Sequence, residues 1–201
     1  MSTSYDDLTM RAARDRYFAD NGFGPTGGYD DKWVELHLGP MTVPFPNSKG
    51  RAKAVPYHDL HHIVTGYGTD FASETLISAW EIGAGCGTAF AVWVINLSAF
   101  GAGLFSAPRR TFAAFRRGRR SASLYDQAIE PLLAATVTEV RTKTGTPAAD
   151  EVVPVRLGDV AALSAATLGA LVAMPLVTAG TLALMPFGLV ALAARKARQR
   201  A

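Results

Sequence analysis

A chain of 201 residues with 49% hydrophobic and 18% charged side chains is long enough to enclose one core and too apolar to stay disordered. Its net charge is +3, yet the excess cations are concentrated in Arg109 to Arg120 and Arg195 to Arg200, a pattern that argues against a diffuse nucleic-acid surface. The single cysteine, Cys86, excludes an internal disulfide framework and fits a reducing compartment.

The opening MSTSYDDLTMRAARDRY is polar and charged and carries no signal-peptide pattern. Tyr5 to Phe18 predicts an amphipathic helix with Leu8 and Ala12 near one face, ending at Asn21-Gly22. GFGPTGGYDD reads as loop, and Trp33, Val34, Leu36 and Leu38 predict a short strand with His37 on its polar side. PNSKGRAKA then predicts a solvated basic loop carrying Asn47, Lys49, Arg51 and Lys53.

The organising stretch is VPYHDLHHIVTGYGTDFASETLISAW, Val55 to Trp80. With Pro56 at the first helical position, Tyr57 to Thr65 predicts a short helix stopped by Gly66. His58 and His62 then share a face, because residues four apart stack along a helix. Asp59, three before His62, is placed to be a fourth ligand or to orient one. Asp70 predicts an N-cap, and Phe71 to Trp80 a second helix with Glu74 in its first turn. The tight turn between the two helices returns Glu74 to the histidines. His61 is assigned to the opposite edge as a hydrogen-bonding residue.

Two imidazoles and a carboxylate suit zinc or non-haem iron(II), and three protein ligands leave positions for water or substrate. His58, Asp59, His62 and Glu74 are thus candidates for catalysis as well as metal binding. A zinc hydrolase is a weaker reading that requires a general base, for which Asp59 or Glu81 is near enough in sequence.

The string H-D-x-x-H, then eleven residues, then E, present as His58, Asp59, His62 and Glu74, resembles the signature of the coenzyme Q biosynthesis protein 4 family. The likeness runs on through the apolar stretch after Glu74, Pro108 to Arg110, the basic RRGRR at Arg116 to Arg120, and a helix ending near Gly145, roughly the middle half of the chain. It departs at Ser73, where members usually carry Gly. The resemblance implies an all-helical, membrane-associated protein that binds a divalent metal, usually zinc, at those positions. It also implies work on polyprenylated quinone precursors, as an oxidative decarboxylase (a lyase) at the ring or as a lipid-binding organiser of the biosynthetic enzymes.

Beyond the motif, Ile82 to Pro108 carries no charge and reads as a buried helix with Phe90, Trp93, Leu97 and Phe100 on one stripe. Cys86, among Gly and Ala, reads as a buried structural thiol. Arg109, Arg110, Arg116, Arg117, Arg119 and Arg120, with Phe112 and Phe115 between them, point to anionic lipid rather than nucleic acid. Arg109 and Arg110 are also candidates to receive a substrate's negative charge. Leu124 to Lys143 predicts one amphipathic helix ended by Gly145 and Pro147.

Val160 to Ala194 is free of charge and Arg195, Lys196, Arg198 and Arg200 follow. That run exceeds the roughly 20 residues of one span, and the positive-inside rule puts both its ends on the cytoplasmic side. The expectation is an all-α protein: a helical metal-binding domain over 1–146, a linker over 147–159, and an apolar membrane hairpin over 160–201 turning near Gly180. Its expected place is the cytoplasmic face of the inner (cell) membrane, with a prenylated quinone or similar lipid as partner and no nucleic acid. A homo-oligomer is compatible with this reading.

Overall fold

The computed structural model describes residues 5–38, 41–149 and 151–200. Among these, eight helices and one β-hairpin follow in the order α1 (Met10–Asn21), β1 (Trp33–Leu38), β2 (Met41–Pro46), α2 (Lys49–Thr65), α3 (Phe71–Ala84), α4 (Phe90–Ser106), α5 (Pro108–Gly118), α6 (Ile129–Ala134), α7 (Val137–Thr144) and α8 (Leu157–Arg200). The fold is mostly helical, as expected, and the predicted strand is one arm of the antiparallel hairpin, with Trp33 opposite Pro46. The His37 side chain lies outside the described residues.

Local chemistry moves several boundaries. α1 begins at Met10, where the Thr9 hydroxyl accepts the Ala12 N–H, and ends at Gly22 in the left-handed conformation. The expected basic loop is instead the first two turns of α2. Ser48 caps it by accepting the Arg51 N–H, so Pro56 lies inside the helix and not at its start. An interior proline removes one helical hydrogen bond, a cost of about 3 kcal/mol. Complete burial of Leu60, Ile63 and Val64 on the following turns offsets it. The single helix expected over Leu124 to Lys143 is two short ones. Thr136 breaks it by forming a capping box with Glu139: the Thr136 side chain accepts the Glu139 N–H, and Glu139 accepts the Thr136 N–H.

Two apolar clusters result. One joins α1, α2, α6 and α7 through Met10, Phe18, Leu60, Ile63, Leu133 and Val140. The other joins α3, α4, α5 and α8 through Leu76, Ala79, Val92, Phe100, Phe115 and Ala170. Close approach of α3 and α5 depends on glycine, because a Cβ at Gly118 would lie 2.0 Å from the Trp80 carbonyl oxygen. On α4 the buried positions are Val92, Asn96, Phe100, Gly101 and Gly103, while Phe90, expected in the core stripe, is 81% exposed.

The expected hairpin tail is one continuous helix, α8, with Pro175 and Pro186 inside it. Gly180 makes no turn. A lone glycine costs a helix only about 1 kcal/mol, and no Pro, Asn or Asp adjoins it to make a turn. Leu157–Ala194 is long and apolar enough to cross a membrane. Much of the arginine run points inward, contrary to the lipid-facing expectation. Buried Arg117 donates to the carbonyls of Thr65 and Pro147, Arg116 to that of Val153, and Arg120 forms a bidentate pair with Asp159. The guanidiniums thereby tie α5 and the residues just after it to the segment before α8 and to the first turn of α8 itself.

Candidate metal centre

The site forms where α2 from the first cluster meets α3 from the second. One helical turn separates His58 from His62, and the left-handed Gly66 ends α2 directly after them. Asp70 caps α3 by accepting the Ser73 N–H, which puts Glu74 in the first turn of α3, facing back toward α2. The imidazole Nε2 atoms of His58 and His62 are 3.2 Å apart. Glu74 Oε2 is 3.3 Å from His58 Nε2 and its Oε1 is 3.4 Å from His62 Nε2. These three side chains offer ligand atoms all within 4.8 Å of one another and can hold a metal ion.

Hydrogen bonds on the far side of each ring decide which nitrogens face inward. His62 Nδ1 is 3.1 Å from the Tyr67 carbonyl oxygen, which only accepts, so His62 donates there and its Nε2 carries the lone pair. His58 Nδ1 is 2.9 Å from Glu81 Oε1, again an acceptor. In the neutral tautomers two imidazole lone pairs and a carboxylate therefore converge with no proton between them. That is the donor set a divalent cation satisfies, and the carboxylate behind His58 is the usual way of orienting a metal-binding imidazole.

Without a metal, a proton takes that role. Burial opposes charge on His58, but Glu81 and Glu74 outweigh it and hold its pKa well above the ordinary 6.5. Burial likewise pushes Glu74 upward, and the two histidines overcome it, leaving its pKa at about 2. Glu81, fully buried, is held well below the usual carboxylate range by His58 and His61 against its own desolvation. The His62 side chain is 1% exposed, that of His58 24% and that of Glu74 40%, so the open side of the group is the Glu74 side.

No family model, curated protein or solved structure matches this chain.

Asp59 lies beside the group but outside the converging set; its Oδ2 accepts the Tyr29 hydroxyl at 2.7 Å, and burial raises its pKa. Arg109 and Arg110 are exposed in the first turn of α5, and among the described residues no hydrogen bond or ion pair joins them to the histidine group. His61 is outside the chelate, as expected, but it is no edge residue. It is fully buried, its Nδ1 donates to Glu81 Oε1 at 2.7 Å, and its Nε2 accepts the Leu124 N–H at 2.8 Å. Desolvation lowers its pKa and keeps it neutral.

Sequence reasoning gave Glu81 only a hydrolase role and passed over Asn96, Tyr17 and Tyr29. Glu81 binds both His58 and His61 through one oxygen and takes the Asn96 amide, at 2.6 Å, on the other. A signal existed, since Glu81 lies two helical turns after Glu74 and shares its face. Asn96 is the one amide in the apolar run that follows. Tyr17 stacks on His62 with ring centroids 5.6 Å apart, a contact no local pattern announces. Cys86 is buried, and burial raises its thiol pKa, which suits a structural residue.

Proposed function

We propose that this chain is a membrane-associated, divalent-metal-binding protein of ubiquinone or related prenylquinone biosynthesis. It acts on the ring of a polyprenylated precursor in a step of the oxidative decarboxylation type, at the cytoplasmic face of the cell membrane and beside other enzymes of the same series. The observation that carries this reading is the convergence of His58, His62 and Glu74, in the spacing that resembles the coenzyme Q biosynthesis protein 4 signature, within a chain that also holds a long apolar helix.

Three protein ligands leave coordination positions free, and the Glu74 side is open, which favours chemistry over a closed structural site. Zinc is the first choice and iron(II) the second. A bound divalent ion supplies Lewis acidity toward a ring hydroxyl or carboxylate, or activates water or oxygen. The chain's own residues set the stage. Glu81 and the Tyr67 carbonyl fix the imidazole orientations, Tyr17 walls one face of His62, and Asp59 with Tyr29 provides a polar boundary. In this reading Arg109 and Arg110 receive negative charge from lipid or substrate.

The test is turnover by purified, metal-loaded protein in lipid with a prenylated hydroxybenzoate-type precursor, alongside elemental analysis. The expected result is stoichiometric metal and ring product, both lost in His62→Ala. Stoichiometric metal with no turnover in the parent overturns the enzyme reading and leaves the alternative, a metal-locked scaffold that binds lipid for partner enzymes.

A further inference from the structure

The orientation of α8 follows from which of its faces the protein covers. At ~100° per residue, Leu163, Ala170, Ala173, Gly188 and Leu192 fall within one arc of about 100°, and all are buried or half-buried. Their neighbours are known at both ends. A Cβ at Gly169 would lie 3.1 Å from Leu97 of α4, and one at Gly188 would lie 2.5 Å from Pro44 of β2. Between these points the seam continues through half-buried Met174, Val177, Thr181 and Met185. The same stripe of α8 is therefore laid against the domain from Leu163 to Leu192, about 44 Å of helix at 1.5 Å per residue.

The opposite face is entirely different. Leu168, Leu171, Val172, Leu176, Leu182 and Val190 occupy an arc of about 140° centred away from the seam, and each is at least 61% exposed. Val160 to Ala194 carries no charged residue anywhere. A helix crossing a bilayer needs roughly 20 residues within the hydrocarbon, and crossing anywhere between Leu163 and Leu192 would carry the elements packed on the seam, α4 and the β-hairpin, into it. The hairpin packed near Gly188 is a further obstacle, because the outer edges of a two-stranded sheet leave backbone groups that hydrocarbon cannot satisfy.

We propose that α8 lies along the membrane with its outward face sunk into one leaflet of an anionic phospholipid bilayer, and does not cross it. This rests on the membrane association proposed above and adds its geometry. Charge selects the occupant. Exposed Arg109 and Arg110 follow Phe105, itself 81% exposed, at the junction of α4 and α5, and in sequence the basic residues Arg195, Lys196, Arg198 and Arg200 follow the apolar run directly. An anionic leaflet complements both clusters at about 1 kcal/mol per basic residue. A second copy docked through the same face would bring a duplicate set of positive charges to the contact. The placement also puts the basic C-terminus on the same side of the membrane as the metal centre, without the hairpin that the sequence suggested.

The experiment uses the full chain bound to phosphatidylcholine vesicles doped with phosphatidylglycerol. Buried Cys86 leaves the parent as an unlabelled control, and the variants are Asp15→Cys on α1, Ala197→Cys near the C-terminus and Leu176→Cys on the outward face. The expected result is co-flotation that weakens on phosphatidylcholine alone. A membrane-impermeant maleimide then labels Asp15→Cys and Ala197→Cys equally from outside, and a depth-sensitive label at Leu176→Cys reports about 5–10 Å of immersion. Co-flotation with Ala197→Cys or Asp15→Cys protected until the vesicles are lysed overturns the in-plane placement and leaves membrane association standing. Absence of flotation, with or without self-association in solution, overturns both.

Discussion

Replacing Glu81 by Gln isolates the contribution of the carboxylate behind His58. The carboxylate accepts N–H bonds from His58 at 2.9 Å and His61 at 2.7 Å on one oxygen and the Asn96 amide at 2.6 Å on the other. Glutamine keeps the shape and one accepting oxygen, so both rings remain held while the Asn96 amide turns over to accept from the new NH2, and the bond behind His58 loses its charge. Hydrogen bonds to charged groups contribute about 1.5–3 kcal/mol against about 0.5–1.5 for neutral pairs. The difference, on the order of 1.5 kcal/mol, corresponds to roughly a tenfold weaker hold on the metal, at the lower end of the 10–100-fold losses typical of residues behind a ligand. The substitution also lowers the proton affinity of His58, which favours metal at neutral pH. The quantity to compare is therefore the limiting affinity at high pH, measured by competition with a chromophoric chelator using zinc or cobalt(II). Glu139→Gln, in the α7 capping box, should bind metal like the parent. A folded Glu81→Gln protein with parental limiting affinity would refute the argument and reduce Glu81 to an internal strut.

The pH dependence has a definite sign on each side. Because the His58 pKa lies well above 6.5 in the folded state, the metal-free protein has the full benefit of that charged ring below about 6.5 and loses it as pH rises through the folded value. Metal affinity should climb over the same interval, since the ion must displace the proton; thermal melts of metal-free protein and metal titrations across pH test both. Glu74 works in the other direction: its contribution is present above about 4.5 and fades as pH falls toward about 2, visible as a falling melting temperature of the metal-free protein over that acid range. Gly118→Ala would put a Cβ 2.0 Å from a backbone oxygen of α3, and backbone cannot rotate aside. A loss of more than about 4 kcal/mol, or failure to accumulate folded protein, is expected from denaturant unfolding. Arg117→Ala removes buried bonds to the Thr65 and Pro147 carbonyls. It should cost about 2–4 kcal/mol in the same assay while an Arg109→Ala, Arg110→Ala double variant costs almost nothing.

The donors were legible because helix periodicity and capping are local. Four-residue spacing put His58 over His62, and Gly66 and Asp70 bounded the turn that returns Glu74. Pro56 misled for a local reason too: it is a good helix starter, and only tertiary burial of Leu60, Ile63 and Val64 lets α2 run through it. Glu81, Asn96 and Tyr17 meet the site through packing between elements far apart in sequence, where no period or motif speaks. The tail was misread because its length and flanking charges favoured a hairpin, whereas α4 and the β-hairpin cover one stripe of a single continuous helix. Likewise the arginines of α5 looked like a surface patch until their acceptors, the carbonyls of Thr65, Pro147 and Val153, were brought beside them by the fold.

The unequal anchoring of the three donors has a kinetic consequence. His62 is clamped between the Tyr67 carbonyl and the Tyr17 ring, and His58 is leashed to Glu81, so neither imidazole can swing aside without breaking a partly buried hydrogen bond. Glu74 alone combines a flexible side chain with 40% exposure. An ion held by this group would arrive and depart past Glu74. Exchange half-times should respond steeply to substitution there, and the two histidines should set how tightly an ion is held and not how fast it leaves through that gate.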